Sequence, residues 1–251
     1  QVRRNVVALG TGGGYRMNVF TIGDAQTVQT TSPISCWIFD PPYNIGFKYG
    51  SKVDDSLSNS DYLSLISECC VNMFNQTDEG HLWMVNYPEQ SARLLPHIEK
   101  VGWKLKQIIT WVYPTNVGHS KKLFTKGTRS VMWFVKGDPD YDIRATLQPF
   151  KNPTDKRIKE RIANGQKGVA HYDWWCINMR KNVSKGYAGW ANQLPMDLVK
   201  RMILTSTIVG DRVGDLMAGG GTTLEVCNQI NRKCWLNDID ERVLDIWRDI
   251  K

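Results

Sequence analysis

Histidine is scarce in this chain, four in 251 residues, and none of the six cysteines, Cys36, Cys69, Cys70, Cys176, Cys227 and Cys234, forms a C-x-x-C pair. Without that spacing or a His-rich tract, no metal site is expected. The thiols read as reduced and mostly buried, in a cytoplasmic setting. No apolar run is long enough to span a bilayer, and no secretory signal pattern is visible at the start, so no membrane partner is expected. Acidic residues are the minority, 25 against 32 Lys and Arg, for a net charge of +7. That balance points to an anionic partner, with nucleic acid first in line.

What is present is enough for one sizeable core, since 41% of the residues are hydrophobic. Strand patterns fall at Asn18–Ala25, Trp37–Phe39, His81–Tyr87, Leu105–Pro114 and Arg129–Gly137, and helical spacing at Asp61–Phe74 and Ser91–Val101. Pro96 is expected to kink or end the second of these helices. The glycine-rich stretch "GTGGGYRMN", Gly10–Asn18, has no clear strand before it and no helix after it, so it reads as a flexible loop. From Pro195 onward the chain alternates helix, strand, glycine turn, helix, strand, acid, helix. That alternation predicts an α/β fold with a mostly parallel sheet covered by helices on both faces.

Two places carry chemistry. In "GDLMAGGGTT" a strand, Arg212–Leu216, enters a turn with Gly219, Gly220 and Gly221, and Thr222 and Thr223 open a helix. Glycines permit close backbone approach to a ligand, and a helix N-terminus offers free N–H groups. No Lys follows the last glycine, which disfavours a Walker-type phosphate loop. About twenty residues on, Asp238 ends the next strand, where an acid takes ribose hydroxyls in dinucleotide-binding units. The second place is "CWIFDPPYNIG", where a buried strand stops at Asp40, Pro41, Pro42 and Tyr43. The Asp40 carboxylate and the Pro41 carbonyl are two acceptors and Tyr43 a flat face, which matches a flipped-out base bearing an exocyclic amino group.

An Asp-Pro-Pro-Tyr corner followed at a distance by the D-x-x-x-G-x-G-T-T of Asp215–Thr223 resembles the DNA amino-methyltransferases that use S-adenosylmethionine, in the beta order of motifs. The resemblance runs from about Asn18 to Lys251. It implies a Rossmann-like class I methyltransferase sheet and N6 methylation of adenine, with Asp40, Pro41, Pro42 and Tyr43 catalytic. It further implies that Asp24 and Ala25 hold the cofactor's adenine and Asp238 its ribose. Asn192, Gln193 and Pro195 are implied to close over its methionine part. Asp40, Asp215, Met217, Ala218, Gly219, Gly221, Thr222 and Thr223 complete the implied cofactor site. The chain departs from the family at Leu216 and Met217, where Pro and Phe are usual, at Gly220, where Ser is usual, and at Leu194, where Lys is common. None of the cysteines follows a proline, which argues against ring-carbon cytosine chemistry.

The implied partner is duplex DNA with one base flipped out, in a prokaryotic or phage-type, nucleoid-associated setting. A homodimer is an option the family offers. Residues 1–137 then form the catalytic half, 138–189 a small target-recognition insertion and 190–251 the cofactor half. Lys121, Lys122 and Lys126 in one loop, with Arg157, Lys159, Arg161 and Lys181 in the insertion, are the expected nucleic-acid contacts, interleaved with Tyr172, Trp174 and Trp175. N4-cytosine methylation, RNA adenine methylation and a catalytically silent nucleic-acid-binding subunit are the alternatives. A protein-glutamine methyltransferase ranks last, because its glycine motif usually comes first and Asn usually replaces Asp.

Overall fold

The structure is a computed structural model in which residues 5–10, 17–47, 55–114, 121–180, 190 and 192–250 are described. Lys181, together with Lys185 and Tyr187, lies outside the described residues.

The strands are β1 (Asn5–Gly10), β2 (Met17–Ile22), β3 (Cys36–Phe39), β4 (Gly80–Asn86), β5 (Lys104–Val112), β6 (Thr128–Lys136), β7 (Trp174–Cys176), β8 (Arg212–Asp215) and β9 (Lys233–Asp238). The helices are α1 (Asn59–Asn75), α2 (Pro88–Val101), α3 (Lys156–Ala163), α4 (Met196–Ser206), α5 (Thr222–Gln229) and α6 (Val243–Asp249). Among the described residues the strands form one sheet in the order β1-β2-β9-β8-β3-β4-β6-β5-β7. The stretch from β2 to β4 is parallel throughout. β6 returns antiparallel on β4, and β5 antiparallel on β6.

Strand β3 shows why the sheet is covered on both sides. Its four residues are all buried. Trp37 and Phe39 pack with α1 and α2 through Tyr62, Ile66, Met73, Leu94 and Ile98. Cys36 and Ile38 pack on the opposite face with Leu198 and Met202 of α4, Leu224 of α5 and Trp247 of α6. A strand with two buried faces needs an unbroken apolar run rather than alternation, and that is what "CWIF" supplies. The result is a Rossmann-like three-layer fold.

Three features differ from the sequence reading. A strand, β1, does precede the glycine-rich stretch, and it pairs antiparallel with β2 from Asn5↔Ile22 to Gly10↔Met17. Six residues on a sheet edge carry too little periodicity to announce themselves. Helix α2 continues through Pro96. Leu94 and Ile98 on either side of it are fully buried, while Ala92, whose carbonyl loses its bond, lies on the exposed side and is open to water. Finally, part of the insertion joins the main sheet, since β7 pairs with β5 and Trp175 is buried beside Trp83.

Candidate active site

Because β2, β9, β8 and β3 run parallel, their carboxyl ends emerge at one edge. Register fixes the level of each: Asp215 pairs with Ile38 and with Leu236, and Ile22 with Asp238. The chain leaves β8 toward β9 and β3 toward β4, in opposite directions along the sheet, so β8 and β3 flank a topological switch point. In open α/β sheets a ligand crevice forms there. A cavity of about 310 Å³ occupies the spot.

Most of the residues singled out in the sequence line this cavity: Asp24 and Ala25 after β2, Asp40, Pro41, Pro42 and Tyr43 after β3, Asn192 and Gln193 before α4, Asp215, Met217, Ala218, Gly219, Thr222 and Thr223 around the glycine turn, and Asp238 after β9. Two do not line it. Pro195 is the N-cap of α4, and its carbonyl accepts from the N–H groups of Leu198 and Val199. Gly221 is the N-cap of α5 at φ 79°, and a Cβ there would meet Trp247 at 2.8 Å, so it shapes the turn from behind. The lining also includes Trp190, Gly220, Asn237 and Asp240, which lie next to the recognised motifs.

The glycine turn is held by carboxylates. Asp215 is buried, and its oxygens accept from the Thr223 hydroxyl at 2.5 Å and the Met217 N–H at 3.3 Å. Burial outweighs those bonds and pushes its carboxyl up to about 7. Asp238 accepts from the Gly219 N–H at 2.9 Å and the Asp240 N–H at 2.9 Å, and burial raises it as well. Asp24 accepts from the Gln26 N–H at 2.9 Å.

The corner after β3 is built around a charge at the start of β6 to which the sequence gives no role. Arg129 begins the second residue of β6 and is only 4% exposed. Its guanidinium donates to the Tyr43 hydroxyl at 2.8 Å, and that hydroxyl donates in turn to Asp40. The guanidinium carbon lies 4.5 Å from the Tyr43 ring centre, 5.3 Å from that of Trp111, 5.4 Å from that of Tyr87 and 5.7 Å from that of Tyr113. Such an aromatic surround stabilises a cation away from water. Tyr43 is therefore not the open flat face the sequence suggests. It is 2% exposed, with Tyr87 set edge-on at 5.3 Å. Asp40 is pushed up to about 6 by burial, against the opposing pull of Arg129 and the Tyr43 bond.

A second group escaped the sequence reading. Asp55 is buried and accepts from the backbone N–H groups of Asn44 at 2.7 Å, Ile45 at 3.1 Å and Phe47 at 2.8 Å. It fixes the chain just beyond Tyr43, where Asn44 adopts φ 57°. Successive N–H groups converging on a carboxylate leave no local motif in the sequence beyond the acid itself.

The expected nucleic-acid contacts are dispersed. Lys121 and Lys122 are exposed. Lys126 pairs with Glu89 at 3.1 Å and stands 4.5 Å from the Tyr87 ring centre. Arg157, Lys159 and Arg161 project from α3, which has no buried residue, and Arg161 donates to Gln166 at 2.6 Å. Tyr172 and Trp174 stack on each other at the surface, ring centres 5.7 Å apart.

This architecture is that of the class I methyltransferases. PvuII DNA methyltransferase (cytosine-N4-specific) superposes with a TM-score of 0.69 at 18% identity, over 93% of this chain and 92% of that one. The complex of M1.HpyAVI with S-adenosylmethionine gives 0.65 at 15% identity, over 91% and 96%. The DNA methylase family profile of N6 and N4 enzymes matches residues 34–249, and the chain belongs to that family. Type II methyltransferase M.BglII of Bacillus subtilis is 27% identical over 92% of this chain and 68% of its own length. The cofactor of this family, S-adenosylmethionine, fits the residues present. Gln193 lines the cavity with both side-chain polar atoms buried and without a hydrogen-bond partner among the described residues. Such atoms call for a polar ligand group. Gly220 keeps that space open, since a Cβ there would stand 2.2 Å from Gln193 Nε2.

Proposed function

We propose that this chain methylates the N6 amino group of an adenine flipped out of duplex DNA. Residues 1–137 and 190–251 act as the catalytic body, and 138–189 reads the target. The observation that carries the reading is Asp40, a carboxylate at the end of a buried parallel strand that lines the same cavity as the glycine turn.

The adenine amino nitrogen is a poor nucleophile because its lone pair is delocalised into the ring. Its two hydrogens need two acceptors, and the Asp40 carboxylate and the Pro41 carbonyl supply them. Holding both hydrogens favours a pyramidal nitrogen with its lone pair turned out of the ring. Bound S-adenosylmethionine supplies an electrophilic sulfonium methyl. The two prolines stiffen the corner, so these acceptors reorganise little as charge develops on the nitrogen. Ionised Asp40 stabilises that charge and accepts the proton the nitrogen sheds. Tyr43 packs against the base from the cavity wall. Asp238 takes the ribose hydroxyls of the cofactor, Asp24 and Ala25 its adenine, and Asn192 and Gln193 its methionine part. Exposed Lys121, Lys122, Arg157, Lys159 and Arg161 contact phosphates.

A second reading, N4 methylation of cytosine, uses the same two acceptors. It is favoured by the cytosine-N4 specificity in the name of the PvuII enzyme, whose fold this chain shares. One experiment separates the two. The purified chain is incubated with isotopically labelled S-adenosylmethionine and unmethylated genomic DNA, and the digested nucleosides are identified by mass spectrometry. Labelled N6-methyldeoxyadenosine is expected, absent with Asp40→Ala. Labelled N4-methyldeoxycytidine selects the second reading, and no label in DNA refutes both.

A further inference from the structure

The loop between β5 and β6 carries two adjacent apolar side chains that the fold does not bury. Phe124 is 101% exposed and Leu123 78%. They sit between Lys121 and Lys122 on one side and Lys126 on the other, all exposed. A solvated basic loop has no need of a bare phenylalanine, and a large exposed apolar group ringed by charge marks a contact surface.

The loop's position says what it contacts. β6 is antiparallel to β4, with Ser130 opposite Asn86, so Thr128 and the described residues just before it, 121–127, emerge at the edge where β3, β4 and β8 end. Its far end is anchored there. The Gly127 carbonyl accepts from the Tyr113 N–H at 2.9 Å, Lys126 stands over Tyr87, and Tyr87 is set edge-on against Tyr43. Two residues span at most about 7 Å between α-carbons, so Phe124 stays close to Lys126 and to the rim of the corner.

We propose that Phe124 and Leu123 form a wedge that enters the base stack of duplex DNA beside the target, while Lys121 and Lys122 hold the phosphates next to it. A base leaving the duplex for the Asp40 corner exposes the faces of its stacked neighbours. An apolar side chain in the gap covers those faces and keeps the base from returning. This rests on reading the corner as the site of a flipped base.

The test begins with the methylated sites mapped on genomic DNA by the wild-type protein. Short duplexes carrying such a site are then made in two forms, one fully paired and one with an abasic position opposite the target. Phe124→Ala is expected to lower kcat/KM on the paired duplex at least 10-fold. On the abasic-opposed duplex, where the target base is already unpaired, the loss shrinks to less than 3-fold, and S-adenosylmethionine affinity by calorimetry is unchanged. Lys121→Gln with Lys122→Gln is expected to weaken both duplexes alike and to flatten the salt dependence. Equal rates for Phe124→Ala and wild type on paired DNA overturn the wedge, as does an equal loss on both duplexes. If the wild-type protein marks no DNA at all, the functional reading fails and the wedge with it.

Discussion

The hydroxyl of Tyr43 caps the carboxylate of Asp40. The cap is held from behind, because the same hydroxyl accepts from Arg129 at 2.8 Å. In the proposed reaction the base amino group would take the place of the Tyr43 O–H on Asp40, with the Arg129 bond to the Tyr43 oxygen kept through the exchange. Arg129 does not line the cavity. It is a positioning residue that lowers the carboxyl of Asp40 against the effect of burial. Arg129→Gln is expected to move the acid limb of the kcat/KM–pH profile upward, by about 1–3 pH units on the usual range for a nearby opposite charge. Activity lost at pH 7 should return at higher pH, and Arg129→Lys should lie between. A loss of activity with an unmoved acid limb would reduce Arg129 to a packing role.

Asp40 at about 6 makes a second prediction, in which activity and stability move in opposite directions. In the proposed reaction transfer needs the ionised carboxylate, so the wild-type rate is expected to rise with pH through about 6. Stability does the reverse. A carboxyl raised on folding holds a proton that the unfolded chain gives up. Its contribution is therefore full below the unfolded value near 3.8 and is lost as pH rises through about 6. Asp215, raised to about 7, adds to the same trend, while His81 and His171, lowered by burial, oppose it below their ordinary value of 6.5. Comparing the wild type with Asp40→Asn isolates one group. The variant should lack methyl transfer yet be more stable to urea at pH 7 by on the order of 1–2 kcal/mol, with the difference vanishing toward pH 4. A pH-independent difference would contradict the assignment.

How far the sequence reached follows from where the information is stored. The Asp40–Tyr43 corner and the Gly219–Thr223 turn are local motifs, and parallel strands of unbroken apolar residues place both at one edge, so their meeting in one cavity could be anticipated. The ends of the sheet could not. β1 and β7 are short edge strands whose conformation comes from the neighbour they pair with. Arg129 reads in the sequence only as the first residue of a strand, because the feature that buries it, four aromatic rings from Tyr43, Tyr87, Trp111 and Tyr113, is assembled from distant segments. For the same reason Tyr43 looks open in the sequence and is closed in the fold.

Asp55 gives a third prediction. Its carboxylate gathers the N–H groups of Asn44, Ile45 and Phe47, and the Asp55 carbonyl accepts from Gly46 at 2.7 Å. Hydrogen bonds to a charged acceptor contribute about 1.5–3 kcal/mol each, and stranding buried donors costs more than the bonds alone. Asp55→Ala should lower the thermal midpoint by several degrees, since about 1 kcal/mol shifts a protein of this size by roughly 2–4 °C. It should also cut methyl transfer, because the corner's far side is released. Asp55→Asn, which keeps shape and one acceptor oxygen, should recover part of both. Full activity in Asp55→Ala would show that the prolines alone hold the corner.

The last prediction couples two residues that the turn brings together. Gln193 has both polar atoms buried without a partner among the described residues, and the missing Cβ of Gly220 leaves the space in which its amide sits. A methyl group at 2.2 Å from Nε2 cannot be accommodated, and the flexible end of Gln193 is what must move. Gly220→Ala should therefore weaken S-adenosylmethionine binding by pushing that amide out of line, on the order of 10-fold, and Gln193→Ala should do the same by removing it. If both act through the one amide, the double variant should be no worse than the worse single one, with a coupling energy of about 1 kcal/mol or more in a double-mutant cycle. Additive losses by calorimetry would mean that Gly220 serves the cofactor directly. Gly220→Ser separates the cases further. It adds the same Cβ with a hydroxyl, so binding should fall as in Gly220→Ala while Gln193 is present, and adding Gln193→Ala should bring no further loss.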